Sequence, residues 1–248
     1  MFDTIITATR LESFLEPQLA LVQEARWHLD EEGIQVKAVD PANVGMIDFT
    51  LAASACESYE ADGDLIALNL GQFEDVLSVI DSADLVHLSI NEQTRKLEIE
   101  AGTFEYTQAL IAPNSVRDDP DLPDLDLPAE IVVGGSELDR GVTAADLVDD
   151  HITLAADPDQ RSFIMEAEGD TDDTRIELGR DELIDARVPE AVSSIYSLDY
   201  LKDITGPIEA ETEVTVRLGA EFPVKWFYEG EDGHPEVEYM IAPRIQSD

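Results

Sequence analysis

Apolar and polar positions along this chain recur in two periods. In "TRLESFLEPQLALV", Leu11, Phe14, Leu15 and Leu19 fall near helical spacing, and Pro17 predicts a kink. "LGQFEDVLSVI" puts Leu70, Phe73, Val76, Leu77 and Ile80 on one helical stripe, with Gln72, Asp75 and Ser78 opposite. Between these helices, "ARWHLDEEGIQVKAVD" reads as strands around a turn at Glu31–Gly33, and "VGMIDFTLAA" as a further strand. "LVHLSI", "KLEIEA" and "TFEYTQALIA" are short strands that close the first half.

The second half repeats this order. "GSELDRGVTAADLVDD" is helical, with Ser136 as the expected N-cap. "HITLAAD", "SFIMEAEG" and "TRIELG" are strands, and "YSLDYLKDI" is a short helix led by Ser197. "TEVTVRLG", "FPVKWFYE" and "VEYMIAP" are strands again. The first half ends Leu110-Ile111-Ala112-Pro113 and the second Met240-Ile241-Ala242-Pro243, about half a chain length later. A shared tripeptide is weak alone; with the matching element order it predicts an internal repeat.

Composition changes the picture through charge. Of 248 residues, 44% are apolar, enough for a packed core, yet 15 basic residues face 56 acidic ones, a net charge of −41. Such self-repulsion opposes a compact state at ordinary ionic strength, whereas near 1 M salt the Debye length falls to ~3 Å. The chain reads as a folded protein built for molar salt, against the alternative of a generic acidic protein. No apolar run reaches the ~18 residues of a membrane span, and the start "MFDTIITATRLESF" lacks the basic opening of a secretory signal, so a soluble cytoplasmic protein is expected. Cys56 is the only cysteine and is expected to be a small buried residue.

Catalytic constellations are missing from the sequence. The four histidines (28, 87, 151 and 234) are scattered, with no phosphate loop and no nucleophile elbow. "EGDTDDTRIE" lacks the alternation and glycine of a calcium loop and reads as a solvated hairpin turn. Neither a metal nor a cofactor is expected beyond monovalent cations screening the acid.

Residues 21 to 51, "LVQEARWHLDEEGIQVKAVDPANVGMIDFTL", and the ending "FPVKWFYEGEDGHPEVEYMIAPRI" resemble the proliferating cell nuclear antigen family, the archaeal and eukaryotic sliding clamps, here of a salt-adapted archaeal type. The resemblance spans essentially the whole chain and is weakest over residues 150 to 185. It implies an α+β DNA-clamp fold: clamp domains at 1–117 and 129–248, each with two helices and flanking antiparallel sheets, joined by a connector at 118–128. It also implies a homotrimeric ring around duplex DNA, without catalysis, that tethers polymerase, flap endonuclease and ligase and is placed by a clamp loader. Two alternatives stand beside it: a checkpoint-type clamp paralogue, and a salt-adapted enzyme with a duplicated domain and a carboxylate site.

The same resemblance assigns candidate residues. Subunits would pair Thr103–Ile111 of one copy with Thr174–Gly179 of the next, through Glu105, Tyr106, Leu110, Arg175 and Ile176, with Arg175 set to meet Glu105; the other reading makes these interior strands. Arg10, Arg140 and Lys202 would face DNA weakly, because Glu12, Ser13, Asp75 and Ser78 stand where basic residues are common in the family. Partner peptides of the type Gln-x-x-hydrophobic-x-x-aromatic-aromatic would dock on Val39, Asn43, Val44, Met46, Leu125, Leu127, Pro128, Phe222, Pro223, Met240, Ala242 and Pro243. The connector "RDDPDLPDLDLP" carries five aspartates and three prolines: the acid is expected to keep it hydrated, the prolines to limit its freedom, and the leucines to turn inward.

Overall fold

A computed structural model describes residues 1–244. The chain divides into two compact units. The first comprises Met1–Pro41, Ile47–Asp121 and Gly230–Val237; the second comprises Ala42–Met46, Leu122–Glu229 and the chain from Glu238 onward.

The first unit contains β1 (Phe2–Thr7), α1 (Ala8–Leu19), β2 (Glu24–Asp30), β3 (Gly33–Val39), all of β4 (Gly45–Ala52) but its first two residues, β5 (Ser58–Ala61), β6 (Asp64–Asn69), α2 (Leu70–Leu77), β7 (Leu85–Asn91), β8 (Lys96–Ala101) and β9 (Phe104–Ala109). The second contains β10 (Ala129–Gly134), α3 (Gly135–Ala145), β11 (His151–Asp157), β12 (Ser162–Glu168), β13 (Asp173–Leu178), β14 (Asp185–Arg187), β15 (Val192–Ser197), α4 (Leu198–Thr205), β16 (Glu213–Leu218), β17 (Val224–Glu229) and all of β18 (Glu236–Ile241) but its first two residues.

The two units share one topology. In the first, strands run in the orders β5-β1-β7-β8-β9 and β4-β3-β2-β6; in the second, β14-β10-β16-β17-β18 and β13-β12-β11-β15. Each unit also carries a pair of adjacent helices, α1 with α2 and α3 with α4. The repeat read from the sequence is therefore a repeat of structure.

Strand alternation buries one face. β1 alternates buried and half-buried positions, and β4 keeps this pattern over eight residues. The first core is aromatic. Phe14 of α1 stands edge-on to Trp27 of β2 at 4.8 Å and to Phe49 of β4 at 4.9 Å, and Trp27 meets Phe73 of α2 at 5.7 Å. Pro17 lies inside α1 without ending it. Its missing N–H falls in the last turn, where buried Gln18 ties the helix down: Gln18 Nε2 donates to the Phe14 carbonyl at 2.7 Å, and Trp27 Nε1 donates to Gln18 Oε1 at 3.0 Å.

The helices start by two devices. Thr7 caps α1 through the Arg10 N–H at 3.4 Å, and Asn69 caps α2 through the Gln72 N–H at 2.7 Å. At α3 the expected Ser136 cap is replaced. Gly134 occupies the cap position without a side-chain bond, and the first helical donors reach backbone: Gly135 N–H to the Thr212 carbonyl at 2.8 Å and Ser136 N–H to the Ala210 carbonyl at 3.0 Å. This approach requires glycine at 135, where a Cβ would stand 2.3 Å from the Glu209 carbonyl oxygen. Backbone gives way less readily than a side-chain tip, so Gly135→Ala is expected to lose about 1–3 kcal/mol of stability. A chemical denaturation curve in molar salt, read as a lowered midpoint at unchanged slope, checks this.

Candidate functional site

Among the six strands β5, β6, β9, β13, β14 and β15, four behave differently from the other two. β6 is capped by the Ile111 N–H donating to the Ala67 carbonyl at 2.8 Å. β15 is capped in the same way by the Arg244 N–H donating to the Ile195 carbonyl at 2.7 Å. β5 and β14 are only four and three residues long. β9 and β13, six residues each, lie at sheet ends with one pairing partner apiece, β8 and β12, among the described residues. They are end strands, not interior ones, and long uncapped ends of this kind are templates for pairing with another chain.

These ends carry the expected interface residues. On β9, Glu105 is exposed and Tyr106 half-buried, with Tyr106 stacked beside Phe104 and its hydroxyl accepting from Gln72 Nε2 at 3.0 Å. Leu110, just past β9, is half-buried, as is Ile176 on β13. Arg175 is already occupied: its guanidinium meets Glu166, and Nη2 donates to Glu177 at 3.0 Å. The expected pairing with Glu105 would have to compete with these two carboxylates. The "EGDTDDTRIE" turn joins β12 to β13 with Gly169 N–H donating to the Asp172 carbonyl at 2.9 Å.

The three candidate DNA-facing cations sit on α1, α3 and α4, and each has an internal carboxylate. Arg10 bonds the Ala55 carbonyl at 3.0 Å and Asp232 at 3.0 Å. Arg140 meets Glu137 at 2.8 Å, and Lys202 meets Asp146 at 2.8 Å. The Asp146 hydrogen bond holds the Lys202 ammonium above its ordinary range, while burial and then the charge of Asp199 push the Asp203 carboxyl upward on the same helix. The exposed α2 positions Gln72, Glu74, Asp75 and Ser78 add no cation. With three cations against eight carboxylates, the four helices carry net negative charge.

Eleven of the twelve expected pocket residues belong to the second unit. Asn43 occupies the left-handed region at φ 61, after which the Val44 carbonyl accepts from the Ala242 N–H at 2.8 Å. Leu127 N–H reaches the Leu125 carbonyl at 3.1 Å, a tight three-residue turn that leaves both leucines half-buried. Pro128, Pro223, Met46, Ala242 and Pro243 are half-buried as well, whereas Met240 is buried and contributes to the core more than to a surface. Val39 lies in the first unit, where it lines a cleft of about 510 Å³ with Leu21, Val22, Pro41, Val116 and Arg117.

Phe222 is the exposed aromatic of this set, at 51%. Its turn is held from beneath. Ser194 Oγ donates to the Gly219 carbonyl at 3.0 Å and accepts from the Glu221 N–H at 2.7 Å; Tyr196 donates to the Phe222 carbonyl at 2.9 Å. Glu221 takes φ 61 there, a conformation costly for a residue with a Cβ. Leu127 and Phe222 both crowd Gly219, where an added Cβ would lie 3.1 Å from Leu127 Cδ2 and 3.2 Å from Phe222 Cβ. Ser194, Tyr196 and Gly219 went unforeseen, since they meet the turn only through the fold.

The connector departs from expectation at its start. Arg26 Nη1 of β2 donates to Asp118 at 2.6 Å, and His28 Nε2 donates to Asp119 at 2.7 Å. Arg117 Nη1 donates to the Asp40 carbonyl at 2.7 Å. Two of the five connector aspartates are thus bound to protein, not only hydrated. Cys56 is half-buried, and burial pushes its thiol up, against a Thr4 hydrogen bond and the Arg10 charge. No group of three or more His, Cys, Asp or Glu among the described residues is arranged to hold a metal ion. No helix among them is long and apolar enough to cross a membrane.

Paired helices backed by antiparallel sheets, twice over in one chain, define the class of the DNA sliding clamps. Residues 1–109 match the family described as proliferating cell nuclear antigen, N-terminal domain. The chain is 54% identical to the DNA polymerase sliding clamp of Natronomonas pharaonis and 51% identical to that of Haloarcula marismortui, each over all of both chains. Among solved structures it is similar to A. fulgidus PCNA bound to the C-terminal region of FEN-1, with TM-score 0.92, 34% identity and full coverage of both chains. It is likewise similar to PCNA from Thermococcus kodakaraensis, with TM-score 0.90 and 29% identity over 98% of this chain and 100% of that one. The chain belongs to the proliferating cell nuclear antigen family of sliding clamps, which raise polymerase processivity and are not enzymes.

Proposed function

We propose that two clamp domains, 1–117 and 129–248, joined by the connector 118–128, close with two further copies of the chain into a homotrimeric ring around duplex DNA. The observation that carries this reading is the pair of long uncapped sheet ends, β9 and β13. Pairing β9 of one copy with β13 of the next would remove both from solvent and generate a closed cyclic assembly. The ring would work at the nucleoid in a salt-rich cytosol, with monovalent cations screening its acid.

Partners would be a replicative polymerase, a clamp loader, a flap endonuclease and a ligase. The solved relative holding the C-terminal region of FEN-1 supports peptide docking of this kind. The docking surface is built on Leu125, Leu127, Phe222, Pro223 and Ala242, apolar side chains suited to a short helical turn with aromatic anchors.

DNA would be held by topology more than by adhesion. Arg10, Arg140 and Lys202 are neutralised locally, and phosphate contacts weaken steeply in molar salt. The test is loading onto nicked circular DNA by the cognate loader in about 2 M KCl, where most charge repulsion is screened, followed by linearisation. A ring stays on the circle and leaves the linear product. The Arg10→Ala, Arg140→Ala, Lys202→Ala triple variant is expected to be retained within about twofold of the parent, since at most weak contacts are lost. Retention on linear DNA with free ends would refute topological holding.

A further inference from the structure

The connector of an acidic chain should be pushed away from an acidic surface, yet its first aspartates are held close. Arg26, only 15% exposed, reaches the 95%-exposed Asp118 at 2.6 Å. Its Nε lies 3.8 Å from Asp119 Oδ1, and both atoms are shielded from solvent. His28, two residues along the same face of β2, takes the other oxygen of Asp119 at 2.7 Å. Arg117, one residue earlier, is fastened to the Asp40 carbonyl at 2.7 Å. Of 15 basic residues in the chain, two converge on this one junction.

From this we infer that Arg26 and His28 are positioning residues: they form a charge latch that fixes the start of the connector and thereby sets how readily partner peptides bind. The inference rests on the peptide-docking reading above. At its far end the connector enters β10, where Ala129 and Ile131 are fully buried. Fixing Asp118 and Asp119 shortens the free connector to residues 120–128, which limits the states open to it. A wall already held in place loses less freedom when a peptide docks. The Arg26–Asp119 part of the latch is also suited to salt, because a pair shielded from solvent is screened less than exposed surface charges.

If the latch is released, only part of the population presents Leu125 and Leu127 correctly, and apparent affinity falls by that fraction. Asp118→Asn with Asp119→Asn removes the carboxylates while keeping their shape. A fluorescein-labelled peptide of the form Gln-x-x-Leu-x-x-Phe-Phe, titrated by anisotropy in about 2 M KCl, is expected to bind this variant roughly three- to tenfold more weakly. Hydrogen exchange of residues 116–127 should rise in parallel, with the light-scattering mass unchanged. Arg26→Gln should give part of this loss alone, because the His28–Asp119 contact remains, and should add little when combined with the aspartate changes, which already remove its partners.

Unchanged peptide affinity and unchanged connector exchange in the Asp118/Asp119 variant would overturn the latch. Losses that add fully with Arg26→Gln would also overturn it, since they would point to general weakening. The Leu125→Ala, Leu127→Ala variant separates this from the docking reading. If it loses the peptide while the latch variants do not, docking stands and the latch falls. If it binds like the parent, the docking reading fails and the latch's role in binding fails with it.

Discussion

Moved from about 3 M to about 0.1 M KCl, the protein is expected to come apart as a ring and then to unfold, because the Debye length grows from under 3 Å to about 10 Å. Each chain carries −41, so neighbouring subunits of the proposed ring would repel through every unscreened carboxylate. Internal ion pairs cannot compensate: with 56 acidic and 15 basic residues, most acids have no cation to meet. Within a unit the same repulsion acts against a core that does not change with salt. The proposed interface should fail first, since it would rest on two strand ends, whereas each unit has its own aromatic or aliphatic core. Light scattering against salt, alongside circular dichroism, should show mass falling at a higher salt concentration than helix and strand signal. Coincident transitions, or a trimer intact at 0.1 M, would contradict this order.

The second large effect concerns the connector. Leu125→Ala with Leu127→Ala is expected to weaken binding of a Gln-x-x-Leu-x-x-Phe-Phe peptide on the order of a hundredfold. Each leucine contributes about 1.5 kcal/mol of apolar contact once a ligand completes its burial, and about 1.4 kcal/mol corresponds to tenfold. Both side chains are half-buried in the free chain, so the monomer loses little when they are shortened. Isothermal titration gives the affinity, and thermal melting of the same sample gives the stability. Loss of fold together with affinity would mean that Leu127 serves first to pack Gly219 and Phe222, and only then to bind.

Much of the architecture is legible in the sequence because it is periodic. The Leu11–Leu15 and Leu70–Leu77 stripes mark α1 and α2, and alternation marks β2 to β4. β1 and β10 escape notice because "FDTIIT" and "AEIVVG" run straight into helices with no turn residue between. The Ser136 cap is misread because Gly134 and Gly135 let backbone carbonyls do the capping. At the site, the leucines announce themselves, but their setting does not. The Arg26–Asp118 pair joins residues 92 apart, and Ser194 reaches Gly219 across 25. No local pattern encodes such meetings. Whether β9 and β13 end their sheets is likewise a property of topology, invisible in the alternation of "TFEYTQ" and "TRIELG".

Those two strand ends have a consequence before any ring exists. A newly made subunit in molar salt has lost the long-range repulsion that would keep exposed strands from pairing indiscriminately. What remains are short-range gatekeepers: Asp173, Arg175 and Glu177 alternate along β13, and Glu105 stands on β9. A strand of identical sequence stacking in register would set like charges against like at each of these positions. The rule that would admit the right edge would also keep unassembled clamps in molar salt from stacking into fibres.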